Sequence, residues 1–178
     1  MFSVRGAFLN WLGIAKHSFE TRKMTRPNFT QIQLHLQERN EPKETFAMVC
    51  KLMELEYGIA PHLFSTVEEL FAHLEGTPKP NFTHLQFYMI ALDATPADYG
   101  RMRQIMQKVF KLPQGTFQEL MEQNLKNYTY LQLFLMEGGS TFGTTPENFG
   151  MLLKSINESF KLGDPAVSLS LLKERHGL

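Results

Sequence analysis

The sequence predicts an all-α fold built from three tandem three-helix repeats, and two observations carry that prediction. A phrase with the pattern Asn-aromatic-Thr-x-(Ile/Leu)-Gln-(Leu/Phe) occurs at 28–34, 81–87 and 127–133. After each occurrence, apolar residues recur with the i, i+3, i+7, i+11 spacing of one helix face. The sequence contains no period-two segment bounded by hairpin turn residues, so we expect no strands.

The phrase is predicted to begin the first helix of each unit. Its Thr-x-x-Gln core has the spacing of a capping box, in which Thr30, Thr83 and Thr129 would accept a first-turn amide and the glutamine would reach back. The same residues fit the N-glycosylation pattern Asn-x-Thr. Because capping already explains the threonines, we favour the structural interpretation.

A second helix is predicted in each unit. Its apolar face returns 53 residues after its first occurrence and again 50 residues later. Pro42, Pro96 and Pro146 stand at or near the helix starts, where a missing amide costs nothing. The face comprises Phe46, Val49, Met53 and Tyr57, then Tyr99, Met102, Met106 and Phe110, and finally Phe149, Leu152, Ile156 and Phe160.

A third helix closes each unit. Thr66-x-x-Glu69 and Thr116-x-x-Glu119 are again capping boxes, and Asp164 precedes a proline as an N-cap. The units span 28–78, 81–126 and 127–178, within a single domain over 28–178. Such repeats pack together because no unit can bury its apolar face alone. An armadillo-like array and a compact, pseudo-symmetric α bundle both fit.

Residues 1–27 are predicted to form a basic amphipathic helix. The stretch 1–26 carries five basic residues against one acidic residue, and Phe8, Trp11, Leu12 and Ala15 form an apolar stripe. We expect this helix to cap one end of the repeats. A mitochondrial presequence is the alternative, and binding to a membrane surface is a third interpretation.

Composition excludes several classes of protein. Eighteen basic residues balance eighteen acidic ones, so net charge does not imply a polyanionic partner. No apolar run approaches the length of a membrane span. The single cysteine, Cys50, cannot form an internal disulfide, fits a cytoplasmic location and is interpreted as a small buried residue.

No catalytic, cofactor or metal site is predicted. Neither His-x-x-x-His nor a Cys–His spacing suited to zinc occurs, so each histidine is interpreted as a surface or half-buried residue. The paired glutamates at 54 and 56 and at 68 and 69 do not share a helix face. The histidines are His17, His35, His62, His73, His84 and His176.

The second helix of the middle unit carries the predicted partner-binding residues. Arg101, Gln104, Lys108 and Lys111 form a polar, basic ridge, and Arg103 lies nearby. We therefore expect a non-enzymatic protein-interaction module or adaptor whose partner is another protein. Nucleic-acid binding through this ridge is the alternative, and an enzyme with an unrecognised site between units is the third.

Overall fold

The computed structural model describes residues 27–138 and 145–178, and this part of the chain contains nine helices and no strand. The all-α prediction is confirmed. The predicted N-terminal helix, including its apolar stripe, lies outside the described residues. The helices are α1 (Phe29–Glu38), α2 (Lys43–Tyr57), α3 (Val67–Glu75), α4 (Phe82–Ala91), α5 (Pro96–Phe110), α6 (Phe117–Glu122), α7 (Tyr128–Glu137), α8 (Pro146–Phe160) and α9 (Pro165–His176).

Asparagine, not threonine, caps the first helix of each predicted unit. Oδ1 of Asn28, Asn81 and Asn127 each accepts the amide three residues ahead, at 2.9–3.0 Å. The predicted capping role of the threonines in the phrase is therefore wrong. Asparagine caps at least as well as threonine, so the cap lies two residues before the threonine, and the threonine hydroxyl can make other contacts.

The predicted starts of the third helices are confirmed. Thr66, Thr116 and Asp164 are N-caps whose side chains accept first-turn amides. At Thr116 the capping box is complete, since the side chain of Glu119 accepts the threonine amide. Glu69 instead accepts the amide of Ser65, one residue before the cap.

The threonines of the phrase meet one another. Oγ1 of Thr30 lies 3.1 Å from Oγ1 of Thr83 and 2.9 Å from Oγ1 of Thr129, and Thr83 and Thr129 are also 2.9 Å apart. Helices α1, α4 and α7 therefore converge with their N-terminal ends at one triangle of hydroxyl groups. We call it the threonine triangle.

The helix contacts around this triangle follow a circular order. Helix α2 packs on α4, α5 packs on α7, and α8 packs on α1. The last contact joins the C-terminal part of the described chain to its first helix. Each of the three converging helices is thus flanked by a 15-residue helix.

One turn beyond the threonine triangle the interior remains polar. Gln33, Gln86 and Gln132 follow the threonines at i+3, on the same helix face, and are fully buried. The side-chain amide of Gln132 donates to Oε1 of Gln37. Within residues 27–138 and 145–178, neither amide atom of Gln33 or Gln86 has a hydrogen-bond partner.

Within residues 27–138 and 145–178, no helix is long and apolar enough to span a membrane.

Candidate functional site

Three aromatic side chains are exposed around the end of the bundle that holds the threonine triangle. Tyr57, Phe110 and Phe160 are the last residues of α2, α5 and α8, and they are 41, 46 and 47% exposed. Each packs edge-on against the first aromatic residue of the neighbouring central helix. The ring centroids are 5.4 Å apart for Phe29 and Tyr57, 5.5 Å for Phe82 and Phe110, and 5.9 Å for Tyr128 and Phe160. We call these three exposed side chains the aromatic rim.

Two open depressions lie between the aromatic rim and the threonine triangle. One, of about 410 Å³, is lined by Tyr57, Thr30 and Thr83. The other, of about 330 Å³, is lined by Phe160, Thr30 and the exposed Lys126. At this end of the bundle, exposed apolar rings therefore lie beside two polar depressions, one of which is partly basic.

The two arginines of the predicted basic ridge are engaged within the chain. Arg103 binds Glu137 through two hydrogen bonds, of 2.5 Å from Nε and 3.2 Å from Nη2, and its guanidinium lies 4.2 Å from the centroid of the Phe134 ring. The guanidinium of Arg101 lies 4.0 Å from the centroid of Phe71 and pairs with Glu68 at 3.7 Å. These contacts give both arginines a structural role.

The other predicted ridge residues face an open surface. Gln104, Lys108 and Lys111 line a depression of about 430 Å³ together with Leu112. Lys111 follows Phe110 directly, so this depression borders the aromatic rim. The predicted binding surface stays a prediction, and the Arg101 side chain, 48% exposed, also reaches solvent beside its contacts with Phe71 and Glu68.

A second constellation lies buried between α2 and α4. Glu54 is 9% exposed, and its Oε2 accepts the hydroxyl of Tyr88 at 2.6 Å and lies 2.8 Å from Nε2 of His84. The thiol of Cys50 donates to the same oxygen at 3.9 Å. One atom each from Cys50, Glu54 and His84 lie within 4.8 Å of one another, and we call these three residues the Cys–Glu–His cluster.

Two helix faces and one loop build this cluster. Cys50 and Glu54 are one turn apart on α2, and His84 and Tyr88 are one turn apart on α4, so both pairs point into the shared interface. The segment 59–66 covers it, since the amide of His62 donates to the Tyr88 hydroxyl at 3.2 Å. The His62 ring is 4.2 Å from that of His73 and 5.8 Å from that of His84.

Burial sets the protonation states in this region. It raises the pKa of the Cys50 thiol, and the Glu54 carboxylate adds to the effect. Burial likewise raises the pKa of Tyr88, and burial with the neighbouring His73 and His84 lowers the pKa of His62. In the protein without a bound cation, Cys50 is therefore a neutral thiol, which is a poor nucleophile.

No sequence motif links the three residues of the Cys–Glu–His cluster. Burial of Cys50 is confirmed, at 4% exposure, but His84 is 2% exposed, so its interpretation as a surface or half-buried histidine is wrong. Metal-ligand motifs place their ligands close in sequence, whereas His84 lies 30 residues from Glu54. The signal available in the sequence was two i, i+4 pairs of hydrogen-bonding side chains on apolar helices, Cys50 with Glu54 and His84 with Tyr88.

Neither the protein-family models, the curated proteins nor the solved structures gave a match to the chain.

Proposed function

We propose that this chain is a protein-binding module, built from three copies of a three-helix unit closed into a ring. The circular helix contacts support the ring, since α8 packs on α1 and an open array would leave its first and last units apart. The threonine triangle supports the three copies, because each unit contributes the same residue of the same phrase. A compact, pseudo-symmetric bundle is thus favoured over an armadillo-like array.

The aromatic rim is the observation that carries the binding function. Large aromatic side chains are enriched at protein interfaces, where they act as anchors. Here the same position of each unit presents one, although a helix end surrounded by solvent would accept a polar residue there. Three such rings around two depressions form a surface that a partner can cover.

The chemistry of this end favours an acidic partner segment with apolar anchors. Lys111 and Lys161 follow two of the rim aromatics, and Lys126 lines one depression. The N-terminal ends of α1, α4 and α7 also point here, and helix N-termini carry partial positive charge. Carboxylates beside apolar side chains would complement both features.

The nucleic-acid alternative is weaker because Glu137 binds Arg103 through two hydrogen bonds and Glu68 neutralises part of the charge of Arg101. Without Arg103 the ridge keeps Lys108, Lys111 and the partly neutralised Arg101, which is a small basic area for a phosphate backbone.

Site-specific photo-crosslinking in cells that express the chain tests the proposal. A photoreactive phenylalanine analogue replaces Phe110 or Phe160, and the matched control carries it at Ala97, at the opposite end of α5. We expect the same protein to be captured from both rim positions and not from Ala97. Capture of nucleic acid, or of a second copy of this chain, would contradict an acidic protein partner.

Affinity measurements with the purified partner complete the test. The double variant Phe110→Ala, Phe160→Ala should weaken binding about 30-fold or more, because interface anchors dominate affinity. Lys111→Glu should weaken binding most at low salt, since its contribution is electrostatic. Unchanged affinity in the double variant, with an unchanged unfolding midpoint, would refute the rim as the binding surface.

A further inference from the structure

The Cys–Glu–His cluster has the chemistry and the placement of a metal site. We propose that Cys50, Glu54 and His84 bind a single zinc-class divalent ion between α2 and α4. Thiolate, imidazole and carboxylate are the three side-chain ligand types that Zn²⁺ takes in proteins. A thiolate together with an imidazole also disfavours the hard cations Mg²⁺ and Ca²⁺, which select oxygen ligands.

Two of the three separations between ligand atoms require only a small adjustment. The third, between Cys50 and His84, lies within 4.8 Å and would have to shorten by up to about 1 Å. Zinc bonds of about 2.0–2.3 Å in a tetrahedron place the ligand atoms roughly 3.3–3.7 Å apart. The separation of 3.9 Å between Sγ of Cys50 and Oε2 of Glu54 would close slightly, and the 2.8 Å between Glu54 and His84 would open by about half an ångström. The hydrogen bond between Glu54 and His84 would be exchanged for two metal bonds.

The surroundings supply the outer contacts that metal ligands need. The Tyr88 hydroxyl donates to Glu54 at 2.6 Å and would orient the carboxylate, as outer hydrogen bonds do in metal sites. The His62 amide in turn donates to the Tyr88 hydroxyl at 3.2 Å. Three protein ligands leave a fourth tetrahedral position, which a water molecule would fill.

The matching interface between α8 and α1 shows that packing alone does not need this cluster. At the 53- and 50-residue offsets, Glu54 and His84 correspond to Asn157 and Gln31 in the α8–α1 interface. There the Gln31 side-chain amide donates to Oδ1 of Asn157 at 2.7 Å, so two neutral amides join the helices. Cys50 corresponds to Leu153, which cannot bind metal. A buried carboxylate costs more to desolvate than a neutral amide, even with its hydrogen bonds to Tyr88 and Cys50, and a bound cation would offset that cost.

Cobalt substitution tests the site on the full chain. The protein is purified with a chelator, dialysed and titrated with Co²⁺, and the absorption of the thiolate-to-cobalt charge-transfer band is followed. Since Cys50 is the only cysteine, such a band reports this thiol alone. We expect one Co²⁺ per chain and stoichiometric displacement by Zn²⁺.

Variants locate the remaining ligands. Cys50→Ser should abolish the band, and Glu54→Gln and His84→Gln should each lower Zn²⁺ affinity at least about a hundredfold, more than outer-contact changes cost. His35→Gln, on α1 outside the cluster, is the matched control and should bind as tightly as the wild type.

Two results would overturn the site. Absence of a thiolate–cobalt band in the wild-type chain would do so without any variant, so loss of folding in a variant cannot obscure it. Equal Zn²⁺ affinity in the wild type and a folded Cys50→Ser variant would assign the binding to surface groups instead.

Discussion

Oγ1 of Thr83 lies 2.9 Å from Oγ1 of Thr129, and Thr30 completes the triangle at 3.1 and 2.9 Å. A hydroxyl donates one hydrogen bond and accepts others, so three hydroxyls satisfy one another when each donates to the next. The triangle is partly buried, and it fixes the axial position of α1, α4 and α7 relative to one another.

Replacing one threonine should lower the free energy of unfolding by more than one third of the loss caused by replacing all three. Thr83→Val keeps the side-chain shape but leaves one hydroxyl without its acceptor and another without its donor. This change should lower the free energy of unfolding by about 1–2 kcal/mol. The triple valine variant removes every partner together and should cost less than the sum of the single changes. Urea unfolding of the single and triple variants measures both, and additive costs would contradict a coupled ring.

The buried glutamines predict a stabilising substitution. Gln86 is fully buried, and neither of its amide atoms has a partner within the described residues. Gln86→Met has a similar shape without polar atoms and should raise the free energy of unfolding by about 1 kcal/mol. Gln132→Met is the matched control and should not stabilise, because Gln132 donates to Gln37. Destabilisation by Gln86→Met would indicate that a bound water or ion satisfies this side chain.

Arg103 should contribute to stability and not to partner affinity. Its guanidinium and the Glu137 carboxylate are each 16% exposed, so their pair is better shielded from solvent than a surface pair. Arg103→Ala should cost about 2 kcal/mol in urea unfolding, since it leaves Glu137 unpaired and uncovers Phe134. Lys108→Ala, at an exposed position of the same helix, should change stability by less than about 0.5 kcal/mol. Equal losses of stability in Arg103→Ala and Lys108→Ala would contradict a structural role for Arg103.

Within residues 27–138 and 145–178, the type and number of the helices were predictable because they depend on local periodicity and local caps. The spacing of Phe46, Val49, Met53 and Tyr57 is enough to define a helix, and Thr116 with Glu119 is enough to begin one. The choice between Asn28 and Thr30 as cap was not predictable in the same way. Both residues suit the position, and Thr30 faces inward only because α4 and α7 bring matching hydroxyls to it.

The candidate sites depend on contacts between helices and so escaped the sequence analysis. From the sequence, Arg103 is predicted to be a basic surface residue, whereas in the fold α7 places Glu137 beside it. Tyr57, Phe110 and Phe160 belong to the predicted apolar face, yet they lie at the helix ends, where no further turn covers them. The Cys–Glu–His cluster likewise exists only because α2 packs on α4.

Tyr99 predicts a loss of stability at high pH. Its side chain is 4% exposed, and burial, followed by the charges of Asp93 and Asp98, raises its pKa. The folded state therefore resists losing this proton, while the unfolded chain loses it near pH 10. The stabilisation is complete below the unfolded pKa and declines as pH rises from there toward the folded pKa, by up to about 1.4 kcal/mol per pH unit.

Tyr99→Phe cannot ionise and should remove this part of the decline. Free energies of unfolding in urea at about pH 8 and about pH 11 measure it, and the drop between them should be smaller in Tyr99→Phe than in the wild type. The drop should not vanish, because burial also raises the pKa values of Tyr88 and Cys50. Met106→Leu, on the same buried face of α5, carries no titratable group and should shift both values equally. Equal drops in Tyr99→Phe and the wild type would show that the Tyr99 hydroxyl already reaches solvent in the folded protein.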